Sequence, residues 1–100
     1  MKALTPEGIA TPFARYSHGV ELPAGTRLVR TSGQLGLGRD GSVPKDVETQ
    51  AAICFANIAA ILAEARMSAV KVCHISAFVT DRAHMAGYMK ARDQFLADVT

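Results

Sequence analysis

No apolar run in this sequence approaches membrane-spanning length, and the opening stretch MKALTPEGIATPF has no apolar core long enough for a secretory signal. Internal repeats, low-complexity tracts and linkers are absent as well. These absences lead us to expect a cytoplasmic protein, away from the membrane, that forms one domain over residues 1–100. Charge of one sign is also missing. The net charge of +2 comes from 11 basic and 9 acidic side chains scattered along the chain, so no electrostatic footprint for nucleic acid stands out. Cysteine is scarce: Cys54 and Cys73 lie in neither a Cys-x-x-Cys pair nor a zinc-type spacing, which suits reduced, buried thiols.

What is present is apolar material. Hydrophobic residues make up 49% and charged residues 20% of 100 positions, enough for a small core in a chain short enough that association with other copies matters. The chain is organised around Thr31 to Val47, TSGQLGLGRDGSVPKDV, where a strand passes through a glycine-rich turn into the longest helix. Asp46 is a good N-cap, and Val47, Ala51, Cys54, Phe55, Ile58, Ile61, Leu62 and Ala65 recur every three or four residues, the period of an amphipathic helix. Arg66 stands where a C-terminal glycine is expected.

Elsewhere the pattern is shorter. Pro6, Gly8 and Pro12 suit an extended or irregular lead-in better than a helix. Tyr16 to Leu22 and Arg27 to Ser32, separated by Pro23-Ala24-Gly25-Thr26, read as a β-hairpin whose second strand puts Leu28, Arg30 and Ser32 on one face. Val72 to Thr80 reads as a strand with Cys73, Ile75, Ala77 and Val79 on one face and His74, Ser76 and Phe78 on the other. Asp81 caps a second helix with Met85, Tyr88, Met89, Phe95, Leu96 and Val99 as its apolar stripe. The order strand, strand, helix, strand, helix leaves a thin layer that other elements or another chain would cover.

Few motifs carry chemistry. Gly36-Leu37-Gly38-Arg39-Asp40-Gly41 matches the G-x-G-x-x-G string, but Pro44 separates it from a helix that opens near Asp46, so a loop is the better reading than a dinucleotide site. Cys73 and His74 alternate across a strand and cannot form a dyad there. His18, His74 and His84 show no i, i+4 pairing for metal. Ser32-Gly33-Gln34 at a strand end can hold a small polar ligand or simply turn the chain, and Arg30 is either an anion anchor or a solvated edge residue.

The stretches PFARYSHGVEL, RTSGQLGLGRDGSVPKDVETQA and ISAFVTDRAHMAGYMKARDQF resemble the Rid family of reactive-intermediate deaminases, also called YjgF-like and formerly L-PSP endoribonucleases. The resemblance implies an α+β, chorismate-mutase-like mixed sheet with two helices on one face, a homotrimer, and clefts between subunits. There, small imines or enamines such as 2-aminoacrylate are hydrolysed to a keto acid and ammonia, without a cofactor or metal. Tyr16, Ser32 and Gly33 match the family's cleft-lining positions. The family's carboxylate-binding arginine and water-orienting glutamate fall on two later strands, beyond the last residue here, so the fold is expected to be incomplete and enzymatic activity is left open. The family's cleft asparagine is Met89 here, and the aromatic one turn later is Arg92. Arg30 is therefore the expected substitute anion contact. The alternative is a non-catalytic member that binds a small metabolite or a partner protein.

Overall fold

Asp46 starts the principal helix as its side chain predicts. Its carboxylate accepts from the Thr49 backbone N–H at 2.9 Å and the Thr49 hydroxyl at 2.6 Å, which holds the acid below its ordinary pKa. In the computed structural model, which describes residues 1–14 and 16–99, this helix, α1, runs Val47–Glu64. It ends through Arg66 at φ 58°, the left-handed conformation that glycine would adopt more readily. The Arg27 guanidinium also donates to the Ala65 carbonyl at 2.8 Å, satisfying one acceptor of the last turn.

The second helix, α2 (Met85–Phe95), follows a 3₁₀ turn at Arg82–His84 that Asp81 caps by accepting from the Ala83 N–H at 2.8 Å. The helices approach closely at Gly87, where a Cβ would lie 2.7 Å from Val47 Cγ1. Between them lies the core of buried Ala51, Phe55 and Ala91, flanked by Ile58, Ile75, Tyr88 and Phe95. Every apolar position read from the α1 periodicity is buried or half-buried. Met85, read as part of the α2 stripe, is 45% exposed because it sits at the helix start, beyond the contact with α1.

The sheet departs from expectation. Its strands are β1 (Lys2–Leu4) and β2 (Gly19–Glu21), paired antiparallel with Lys2 opposite Glu21 and Leu4 opposite Gly19. The lead-in, read as extended or irregular, supplies a strand, whereas the expected hairpin between Tyr16–Leu22 and Arg27–Ser32 does not form. Lys2 facing Glu21 puts opposite charges across the ladder, and Leu4 lies against the side-chain-free Gly19, 3.4 Å from where its Cβ would be. Residues 27–32 and 72–80 contain no strand. β-forming residues favour extended backbone, but a strand exists only where a second segment takes up its N–H and C=O groups, and these two stretches have no ladder partner among the described residues. The architecture is therefore α+β in its coarse form, two packed helices beside a small two-stranded sheet.

Two further expectations change. Cys73 is exposed, since residues 72–80 are not covered on both sides, whereas Cys54 is half-buried and burial raises its thiol pKa. At 18 residues with a mean hydropathy of 1.3, α1 also has the length and composition to cross a membrane, which the sequence reading did not credit. The core helix of a soluble protein meets the same measure, and α1 contributes Ala51, Phe55 and Leu62 to the interior.

Candidate functional site

The glycine-rich passage is built to fold on itself. Asp40 accepts from the Ser42 hydroxyl at 2.7 Å and the Ser42 N–H at 3.0 Å, bonds that lower its pKa. The Gly38 N–H donates to the Ser42 carbonyl and the Gly41 N–H to the Gly38 carbonyl. These amides are the donors a phosphate would need, and the N-terminus of α1 is already occupied by Asp46. Gly36 has a packing reason instead: a Cβ there would lie 2.4 Å from Gln50 Cβ, so only glycine lets the loop lie against α1.

The expected strand end sits beside this loop. The Gln34 side-chain amide donates to the Ser32 carbonyl at 3.1 Å, and the Gln34 carbonyl accepts from the Cys54 thiol at 3.4 Å, which fastens the segment to α1. Ser32 and Gly33 themselves are exposed, and a Cβ on Gly33 would meet nothing within 4 Å. Arg30 is exposed too, with no hydrogen bond or ion pair to a described residue.

Tyr16 lies elsewhere. Its ring meets Phe13 and His18 edge-on, with centroids 5.4 and 5.9 Å apart, and it lines a groove of about 810 Å³ bounded by the β1–β2 sheet, residues 72–75 and α2. Val20, Val72, Ile75 and Leu96 make much of this groove apolar, while Tyr16, His74, Tyr88 and Arg92 bring polar groups. Ser32, Gly33 and Arg30 are not among its walls. The four expected site residues thus divide into Tyr16 at the groove and a separate exposed trio at positions 30, 32 and 33.

Cys73 and His74 both border the groove, because an extended segment outside a ladder need not alternate strictly. They are not joined to each other: His74 Nε2 pairs with the Ser76 hydroxyl at 2.8 Å. Among the described residues, no three His, Cys, Asp or Glu side chains converge on a metal-sized position.

Arg92 was noticed in the sequence only as a departure from the family pattern, yet it is the most unusual polar group of the groove. Its side chain is 15% exposed, and among the described residues its Nη2 meets the neighbouring Asp93 carboxylate at a long 3.4 Å while its buried Nε has no hydrogen-bond partner. Leaving a buried donor unpaired costs on the order of 1–3 kcal/mol, and more when the group is charged. The sequence signal that could have found it is a cation at an apolar-stripe position, since Arg92 lies four residues after Tyr88 and four before Leu96. The phenol of Tyr88 has its pKa raised by burial, an effect opposed by the nearby Arg92 charge.

No curated protein and no solved structure matches the chain. The sequence model described as endoribonuclease L-PSP matches residues 8–100, a span that includes Tyr16, the glycine-rich passage and both helices. This chain therefore belongs to the endoribonuclease L-PSP family, also known as the Rid or YjgF family.

Proposed function

We propose that this protein is a cytoplasmic Rid-type protein that takes up small reactive enamines or imines, such as 2-aminoacrylate, and promotes their hydrolysis. An enamine first tautomerises to its imine by a proton shift from nitrogen to the β-carbon; water then adds to the imine carbon, the carbon–nitrogen bond breaks, and a keto acid and ammonia result. The single observation that carries this reading is the position of Tyr16, the family's cleft tyrosine, on the wall of an apolar groove of a size suited to a small molecule. The exposed positions Ser32 and Gly33 fit a homotrimer in which the segment that carries them lines an intersubunit cleft, as the family resemblance implies. Neither a cofactor nor a nucleic acid enters this reading.

A second reading, a non-catalytic binder of a small metabolite or partner protein, is favoured by one observation. No aspartate or glutamate is among the described residues that line the groove, so no carboxylate there orients a water. The two readings separate in one assay. Ammonia release from enzymatically generated 2-aminoacrylate is expected to exceed the spontaneous rate and to fall on Tyr16→Ala substitution. A rate equal to the spontaneous one removes the hydrolytic reading, and saturable binding without turnover then supports the second.

A further inference from the structure

The glycine-rich passage contains a dipeptide with chemistry of its own. Of the five aspartates in the sequence, Asp40 is the one followed by glycine; Asp46, Asp81, Asp93 and Asp98 precede Val, Arg, Gln and Val, whose side chains shield the next amide nitrogen. Glycine has no such shield. Asp40 and Gly41 are both exposed, Gly41 stands at φ 88°, and a Cβ there would meet nothing within 4 Å. Two sets of hydrogen bonds hold the Asp40 carboxyl and the Gly41 nitrogen apart. The acid accepts from the Ser42 hydroxyl at 2.7 Å and the Ser42 N–H at 3.0 Å, which keeps it ionised, and a carboxylate has no good leaving group to give up. The Gly41 N–H, for its part, donates to the Gly38 carbonyl at 2.9 Å.

We propose that Asp40–Gly41 is a self-modification site, at which aspartate converts to isoaspartate, and that the Ser42 hydroxyl is the latch that sets its rate. When the loop opens and Asp40 takes up a proton, the Gly41 nitrogen attacks the Asp40 Cγ. The carboxyl hydroxyl and the amide hydrogen leave as water, and a succinimide ring closes. Water then adds to one of the two ring carbonyls. Breaking the bond from nitrogen to Cγ restores aspartate, whereas breaking the bond from nitrogen to the main-chain carbonyl carbon leaves the chain running through the Asp40 side chain, with a free α-carboxylate. One water leaves and one returns, so the step needs no co-reactant. The product carries an extra methylene in its main chain. The turn that Gly38 closes with Ser42 at 2.8 Å and with Gly41 at 2.9 Å then loses its register, and the docking of Gly36 on Gln50 loosens with it.

The test ages the whole chain in mildly acidic buffer and measures isoaspartate by enzymatic methylation of its free carboxylate, with fragmentation mass spectrometry to place it. The chain unfolded in guanidinium chloride is expected to convert fastest and the native parent slowest. Ser42→Ala, its helices intact by circular dichroism, is expected to convert about three- to tenfold faster than the parent, the effect of one hydrogen bond to the carboxyl. Asp40→Glu is expected to remove the signal, because the larger ring closes far more slowly. In the isolated isoaspartate form the Gly38 and Gly41 amides are expected to exchange with solvent faster than in the parent. An unfolded chain that forms no isoaspartate at position 40, or a signal that persists in Asp40→Glu, overturns the site. A Ser42→Ala rate equal to the parent's overturns the latch, and a native parent as reactive as its unfolded chain overturns the protection by the loop.

Discussion

The rings of Phe55 on α1 and Phe95 on α2 stack with centroids 4.8 Å apart and 23° between their planes, and this contact ties the two helices together. Phe55 is 6% exposed and also meets Tyr88 at 6.0 Å, so it has core neighbours on more than one side. Phe55→Ala is expected to cost about 3–5 kcal/mol through lost burial and the cavity left behind. Urea denaturation checks this, and a loss below 1 kcal/mol would show that the helix pair is not the structural core.

Gly36 and Gly33 make a paired test of the loop. An alanine Cβ at position 36 meets Gln50 Cβ at 2.4 Å and the Gln50 backbone at 2.8 Å, whereas one at position 33 meets nothing within 4 Å. Gly36→Ala is expected to destabilise by about 1–3 kcal/mol through forced backbone shifts, and Gly33→Ala to stay within about 0.5 kcal/mol of the parent. Equal melting temperatures for the two variants contradict the close docking of the loop on α1.

Arg66, at φ 58°, ends α1 in a conformation that L-residues resist. Arg66→Gly is expected to stabilise the chain by about 0.5–1 kcal/mol, the relief of a left-handed residue reduced by the extra freedom of glycine in the unfolded state. A lower melting temperature in the variant would show that the arginine side chain contributes more than its backbone costs.

The Asp46 cap implies a pH dependence. Hydrogen bonds from Thr49 lower the folded pKa below the ordinary 3.8, so the carboxylate is favoured by folding. Its stabilisation is complete above the unfolded value and disappears as pH falls through the lowered folded one. The melting temperature of Asp46→Ala should lie below that of the parent at neutral pH and converge on it in strong acid. A gap that persists unchanged in acid would assign the loss to something other than the charged cap.

Tyr88 gives the opposite sign. Burial raises its phenol above the ordinary 10.0, and Arg92 pulls it partly back. The neutral form is favoured by folding, so this contribution is present below the unfolded pKa and is lost as pH rises through the raised folded value. The sequence has two tyrosines, so ultraviolet titration of Tyr16→Phe reports Tyr88 alone. The midpoint is expected above 10.0, and higher still when Arg92→Gln is added. A downward move on that second substitution would place the Arg92 charge away from the phenol.

The helices were legible in the sequence because their determinants are local. Asp46 and Asp81 cap through side chains that reach only two or three residues ahead, the apolar period of Val47 to Ala65 specifies one buried face, and the misfit of Arg66 follows from its position alone. Strand pairing was not legible. The β-forming residues at 27–32 and 72–80 predict extended backbone, but which segments pair depends on which others reach them. Here the pairing went to Lys2–Leu4, a stretch with little strand signal. The site divided in the same way. Tyr16 could be named from its motif, but its placement across a groove from Arg92 required β1–β2, residues 72–75 and α2 to meet. A cation at an apolar-stripe position can be flagged from the sequence, but whether it loses its water is decided by packing in three dimensions.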